Sequence, residues 1–267
     1  MENQHYFTRY WRAYLSEMAG TALLLLIGLS IVIFLFAAET PMAEIIPNVT
    51  HRRMLSGFLF GATGGIISMT AIGRESGAHI NPAVTMVFFL FGKIEKRAAL
   101  AYVISQLMGA VIGCLPLFIW GAWGDSIDFG ATYPGVGYTV SEAFWGEVST
   151  TFIMVSLLIV FIGFRSIRPF TPMLFPFLYS IMVPIEAAIS GTSTNPARSF
   201  GPAVVTGIWD SWWIYWAGPI LGALLASLVF SALAKRITVA KLYHFDTDRD
   251  GLFRRKGTSV PSGKGGG

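Results

Sequence analysis

Six apolar runs, near 13–36, 54–72, 98–123, 143–164, 171–190 and 212–234, constrain this chain more than anything else in it. Each can cross about 30 Å of hydrocarbon at about 1.5 Å per helical residue. Backbone in hydrocarbon must satisfy its own hydrogen bonds, so runs of this length are expected to be helices. Composition agrees where it matters. Only 13% of residues are charged and 54% are hydrophobic, about half the charge usual in soluble domains. Aromatic residues reach 14%, with eight Trp, which suits rings placed at membrane interfaces. The first run is too long for the apolar core of a cleaved leader and is expected to be a first span.

Two shorter apolar pieces, 82–92 and 196–208, cannot cross alone. Each follows a polar break, "SGAHINPAVT" at 76–85 and "SGTSTNPARSF" at 190–200. Asn is a good N-cap, and Pro is tolerated in the first helical turn, where its missing N–H costs nothing. Each piece therefore reads as a half-helix starting at its Asn-Pro. Non-helical backbone at membrane depth is tolerated only inside protein or beside a watery cavity. Two such breaks imply a cavity between the helices.

The halves also repeat. Glu17-x-x-x-Thr21 in the first span precedes Asn81-Pro82-Ala83, and Glu147-x-x-x-Thr151 in the fourth precedes Asn195-Pro196-Ala197. Three spans per half is an odd number, so the second half enters from the opposite side. Inverted repeats of this kind place their site near the midplane, on discontinuous helices. The fold class expected is an all-α membrane protein with six transmembrane helices, two re-entrant half-helices and an inverted repeat.

Charge sets the orientation. Sixteen of the 19 Lys and Arg fall on one side; only Arg52, Arg53 and Arg198 fall on the other. The basic side faces the cytoplasm by the positive-inside rule, which puts both termini there in a multi-pass protein of the cell membrane. Basic residues spread along one membrane face give no nucleic-acid site. The single Cys114 excludes an internal disulfide framework. His79 has no second His or Cys at ligand spacing, so it reads as a packed or pore-near His, with no metal site. No Ser-His-Asp spacing or large extramembrane domain supports an enzyme, and no cofactor is expected. Gly109, Gly113, Gly218 and Gly222 read as close helix crossings.

On the two Asn-Pro-Ala motifs, the six-span frame and the paired Glu17 and Glu147, residues 10–236 resemble the aquaporin or major intrinsic protein family. The resemblance implies an aquaporin-like channel domain over 1–240, with halves of about 10–123 and 140–236. A flexible cytoplasmic tail is expected over 241–267, polar from 246 on. It implies a homotetramer in the lipid bilayer, with one pore per subunit. Asn81 and Asn195 would turn their amides into the pore, and Arg198 would sit at the outer constriction. Glu17 and Glu147 would brace the half-helix loops by accepting backbone N–H groups; intramembrane carboxylates could otherwise serve a proton-coupled transporter.

Water channels and glycerol channels divide this family. Ser199 stands where glycerol channels usually carry Asp, and Tyr215-Trp216 where they usually show Pro-Leu; with Ala203, these resemble the water branch. Val183, twelve residues before Asn195, departs from it, since many strict water channels place His there. Thr192 would be the loop member of the constriction. Counting back from Asn81 lands on Gly61 in the second span, while a one-residue shift selects Phe60. The expected cargo is water, with leakage of small neutral solutes. A glycerol or broad neutral-solute facilitator is the alternative.

Overall fold

In the computed structural model every apolar run is helical, and the described residues contain no strand. The structure describes residues 2–247 and residue 252, with side chains from Tyr10 on. Six long helices appear: α1 Glu2–Phe36, α2 Val49–Met69, α4 Lys96–Cys114, α5 Val140–Gly163, α6 Thr171–Glu186 and α8 Ile214–Val229. Among the shorter helices between them are α3 Pro82–Leu90 and α7 Pro196–Thr206. Among the described residues, Tyr10–Phe36, Lys96–Trp120 and Val140–Gly163 are each long and apolar enough to cross a membrane by themselves.

Local chemistry sets the helix limits. Asn48 caps α2 by accepting the Thr50 N–H at 2.8 Å. Thr139 and Glu142 form a reciprocal capping box at the start of α5. Pro116 follows the end of α4, and the chain continues as a 3-10 turn to Trp120. The run at 171–190 stops being helical at Glu186, and the run at 212–234 passes into 3-10 geometry after α8.

Glycine brings the long helices together. An added Cβ at Gly109 or Gly113 of α4 would lie 2.2 Å from the Met18 or Ala22 carbonyl of α1. Gly218 and Gly222 of α8 lie close on α5, an added Cβ falling 2.8 Å from Glu147 Cβ and 2.4 Å from the Val148 carbonyl. The two pairings are counterparts in the repeat. Sequence reading missed a third stripe: Gly57, Gly61 and Gly65 of α2 back onto the carbonyls of Tyr179, Phe175 and Pro172 in α6. In hydrocarbon, where apolar surface gains nothing by hiding, such close backbone approach drives helix association.

This stripe carries a paired expectation. Gly61→Val places a Cβ 2.5 Å from the Phe175 carbonyl and should cost about 1–3 kcal/mol by overpacking. At Gly64 an added methyl meets nothing nearer than 3.7 Å, so Gly64→Ala should leave thermal unfolding in detergent unchanged. Equal melting of the two variants would show that the stripe does not hold α2 to α6.

One expectation is corrected at the C-terminal end. Residues 241–247 were expected to begin a flexible tail, but Lys241 and Leu242 are buried, as are Ile237, Val239 and Ala240 before them. The reason is physical: the backbone of this segment finds partners in the loops at that end of the bundle, including Leu242 N–H to the Gly77 carbonyl at 3.0 Å, and the buried Lys241 ammonium donates to the Arg74 carbonyl. The rest of the expected tail, apart from residue 252, lies outside the described residues.

Candidate functional site

Each half-helix begins where its sequence says it should. Asn81 Oδ1 accepts the Ala83 N–H at 2.8 Å, and Asn195 Oδ1 accepts the Ala197 N–H at 3.0 Å. Pro82 and Pro196 follow directly, in the first turn. With their oxygens used as caps, both amides turn their nitrogens toward the opposite half. Asn81 Nδ2 donates to the Thr194 carbonyl at 3.0 Å, and Asn195 Nδ2 donates to the Ile80 carbonyl at 2.9 Å. The two helix starts are thus tied tip to tip. Each amide has two N–H donors; these cross-bonds take one and leave the second for the cavity that both side chains line.

The loops leading to the two Asn residues have matching backbone. Gly77, Ala78 and Ile80 have positive φ, as do Gly191, Thr192 and Thr194. The alternation between left-handed and ordinary residues is the same in both. A β-branched residue such as Ile80 or Thr194 seldom adopts this conformation, and it persists only where surroundings impose it.

The surroundings are visible. Glu17, buried in α1, accepts the Ile80 N–H and the Gln106 amide, the latter at 2.7 Å. Glu147, buried in α5, accepts the Ser193 N–H at 2.7 Å, the Thr194 N–H at 2.8 Å and the Ser190 hydroxyl at 2.6 Å. Sequence reading left Glu186 without a role; its carboxylate also reaches Ser190. Two tyrosines it did not single out as anchors complete the pattern. Tyr102 donates to the Ser76 carbonyl at 2.7 Å, and Tyr215 donates to the Ser190 carbonyl at 2.9 Å. Their paired placement in α4 and α8 is a repeat signal that a search limited to acidic and Asn-Pro motifs passes over.

The cavity is small, about 60 Å³. Its wall includes Phe60, Gly61, His79, Asn81, Asn195 and Arg198. Arg198 lies in the first turn of α7, buried, with Nη1 donating to the Gly130 carbonyl at 2.7 Å. Its guanidinium stands 5.9 Å from the Phe60 ring centroid. Phe60 and Gly61 both stand on the wall with Arg198, and the Gly61 backbone also lies against the Phe175 carbonyl of α6. His79 is packed on the Phe88 ring, 4.6 Å between centroids. Its Nε2 donates to the Ala240 carbonyl at 2.9 Å, since a carbonyl can only accept.

Val183 and Thr192 stand apart from the wall of this cavity. Val183 is half-buried on α6, one turn beyond Tyr179, which does line the cavity and meets Thr194 Oγ1 at 2.5 Å. Thr192 is buried in the second loop. Ser199 also sits off the wall, within hydrogen-bond reach of Thr132 and Ser193 at 2.7 and 2.6 Å. No cluster of three or more metal-ligating side chains occurs among the described residues.

Polar donors converge on a small, otherwise apolar space. The arrangement can guide a small hydrogen-bonding molecule.

Comparison with known proteins names a family. The family described as Major intrinsic protein matches residues 4–230. The "Lens fiber major intrinsic protein" of Gallus gallus is 34% identical over 251 residues, covering 87% of this chain and 88% of its own. "Probable aquaporin TIP1-2" of Oryza sativa subsp. japonica is 32% identical over 193 residues, 70% of this chain and 74% of its own. Among solved structures, the aquaglyceroporin from Plasmodium falciparum aligns at a TM-score of 0.68, covering 85% of this chain and 99% of its own, with 18% identity; at that identity the likeness concerns the fold. The chain belongs to the major intrinsic protein family, a family of membrane channels rather than enzymes.

Proposed function

We propose that this protein is a passive water channel of the cell membrane, that it leaks small neutral solutes such as ammonia, hydrogen peroxide and urea, and that it excludes ions and protons. The observation that carries the reading is the tip-to-tip pair of Asn amides on one narrow cavity. A water passing between them accepts from both sides, so its own hydrogens point away from the centre and a continuous proton wire is broken. Two helix N-termini, each with roughly half a positive charge, face the same point and repel cations. Arg198 adds a full charge. Passage needs no energy source; the solute follows its own gradient.

On this reading Asn81, Asn195, Arg198, Phe60 and His79 line the path. Val183 and Thr192 belong to its outer approach, and Glu17 and Glu147 hold the loops. Both termini face the cytoplasm, and four copies assemble with one pore each, a stoichiometry that native mass spectrometry of the purified protein would read directly. Glycerol transport is the competing cargo. Proteoliposomes challenged with sucrose should shrink within the stopped-flow time, and those challenged with glycerol should shrink and refill slowly. Refilling as fast as shrinkage would assign the protein to the glycerol class.

Val183→His tests the leak. His adds bulk and a donor at the approach, so water permeability should persist while urea and ammonia permeability fall by about tenfold. Unchanged urea uptake would place the size limit elsewhere along the path.

A further inference from the structure

The chain past α8 does not leave the protein; it crosses one end of the bundle between two loops. On one side, Arg168, buried in the α5–α6 loop, donates from Nη2 to the Arg236 carbonyl at 3.1 Å and lies within 3.5 Å of Thr238 Oγ1. It also stands 4.9 Å from the centroid of the Phe245 ring. On the other side, the loop that leads to Asn81 holds the segment by its backbone. Gly77 O accepts the Leu242 N–H at 3.0 Å, and the Ala240 carbonyl accepts from His79 Nε2 at 2.9 Å. The Lys241 ammonium, itself buried, donates to the Arg74 carbonyl and to Thr247 Oγ1. His244 Nε2 reaches the Met69 carbonyl at the end of α2, at 2.9 Å.

These contacts need Gly77. Its φ is +84°, and a Cβ there would lie 2.6 Å from the Ala240 carbonyl. What the segment delivers is the Leu242 side chain, 3% exposed. It forms part of the wall of the same cavity as Asn81, Asn195 and Arg198. An apolar side chain there offers no hydrogen bond to a water that must shed neighbours to pass in single file.

We propose that residues 237–247 are an autoinhibitory strap across the cytoplasmic mouth, with Leu242 as its stopper, so that this conformation is a restricted state of the channel. The inference rests on the water-channel reading above. Backbone-to-loop hydrogen bonds fasten the strap, and a single buried ammonium pins it at its middle. Loosening either the stopper or the pin opens the mouth without touching the Asn pair.

The test is stopped-flow water permeability of full-length protein in proteoliposomes, normalised to protein per vesicle, for wild type, Leu242→Ala and Lys241→Met. Both variants should conduct faster than wild type, Leu242→Ala by at least about threefold. Leu242→Trp should conduct more slowly than wild type. A Leu242→Ala protein that melts like wild type and conducts no faster overturns the strap while leaving the channel standing. If Leu242→Ala fails to fold, Lys241→Met decides by the same criterion. Wild type and all variants at the level of empty vesicles would sink the water-channel reading and the strap with it.

Discussion

Glu147→Leu is expected to abolish water conduction and to lower stability by about 4 kcal/mol or more. The carboxylate accepts two backbone N–H groups, from Ser193 and Thr194, and the Ser190 hydroxyl. Leu is close to the right size and offers no acceptor. Each buried donor left without a partner costs about 1–3 kcal/mol. Strain compounds the loss. Thr192 and Thr194 are held at φ of 51° and 52°, a conformation that costs a non-glycine residue about 1–2 kcal/mol. Without its brace the loop gains by relaxing, and relaxation moves the Thr194 carbonyl away from Asn81 Nδ2. Conduction should therefore fail earlier than folding does. Glu147→Gln keeps one acceptor and turns an NH2 toward the remaining donor, so it should fall between. Glu17→Leu should act in the same sense through the Ile80 N–H and Gln106. Thermal unfolding in detergent and vesicle shrinkage check both effects; a Glu147→Leu channel with wild-type permeability would remove the brace from the account.

What was legible in the sequence was whatever local chemistry encodes. Asn followed by Pro caps a helix through two adjacent residues, so both half-helix starts could be read to the residue. Glu17 and Glu147 could be paired because an inverted repeat places them alike. Relations between segments were less legible. The choice between Phe60 and Gly61 depended on counting through 61–79, where α2 ends at Met69 and a further short helix, Ala71–Ser76, intervenes; a count cannot cross such a break. The Gly57, Gly61 and Gly65 stripe was equally hard to place: its four-residue period was present in the sequence, but its partner, α6, lies more than a hundred residues away. The strap was invisible for a related reason. The stretch "ITVAKLYHF" at 237–245 is short and follows the last apolar run, and its hydrogen bonds run to Gly77, His79 and Arg74, far back in the chain.

Arg198→Ala should widen what the channel passes far more than it changes water flow. The guanidinium is tied at Nη1 to the Gly130 carbonyl and stands 5.9 Å from the Phe60 ring centroid, so on the proposed reading it sets both the aperture and the sign of the field at that level. It also lies in the first turn of α7, where its charge adds to the positive end of its own helix instead of cancelling it. At about 5 Å and an effective dielectric constant of about 20, the repulsion it exerts on a passing monovalent cation is about 3 kcal/mol. Removing it takes away a factor of more than about a hundred against cations. Conduction of sodium should nevertheless stay undetectable. The two half-helix starts still face each other at the Asn pair, and their positive ends still oppose a cation there. Neutral solutes face no such second barrier. Urea and glycerol permeability should rise by about tenfold or more, while water permeability stays within about threefold of wild type. Stopped-flow light scattering with urea, glycerol and sucrose gradients separates these outcomes. Urea exclusion that survives the substitution would move the neutral-solute filter away from Arg198 and Phe60, to the approach formed by Val183 and Thr192.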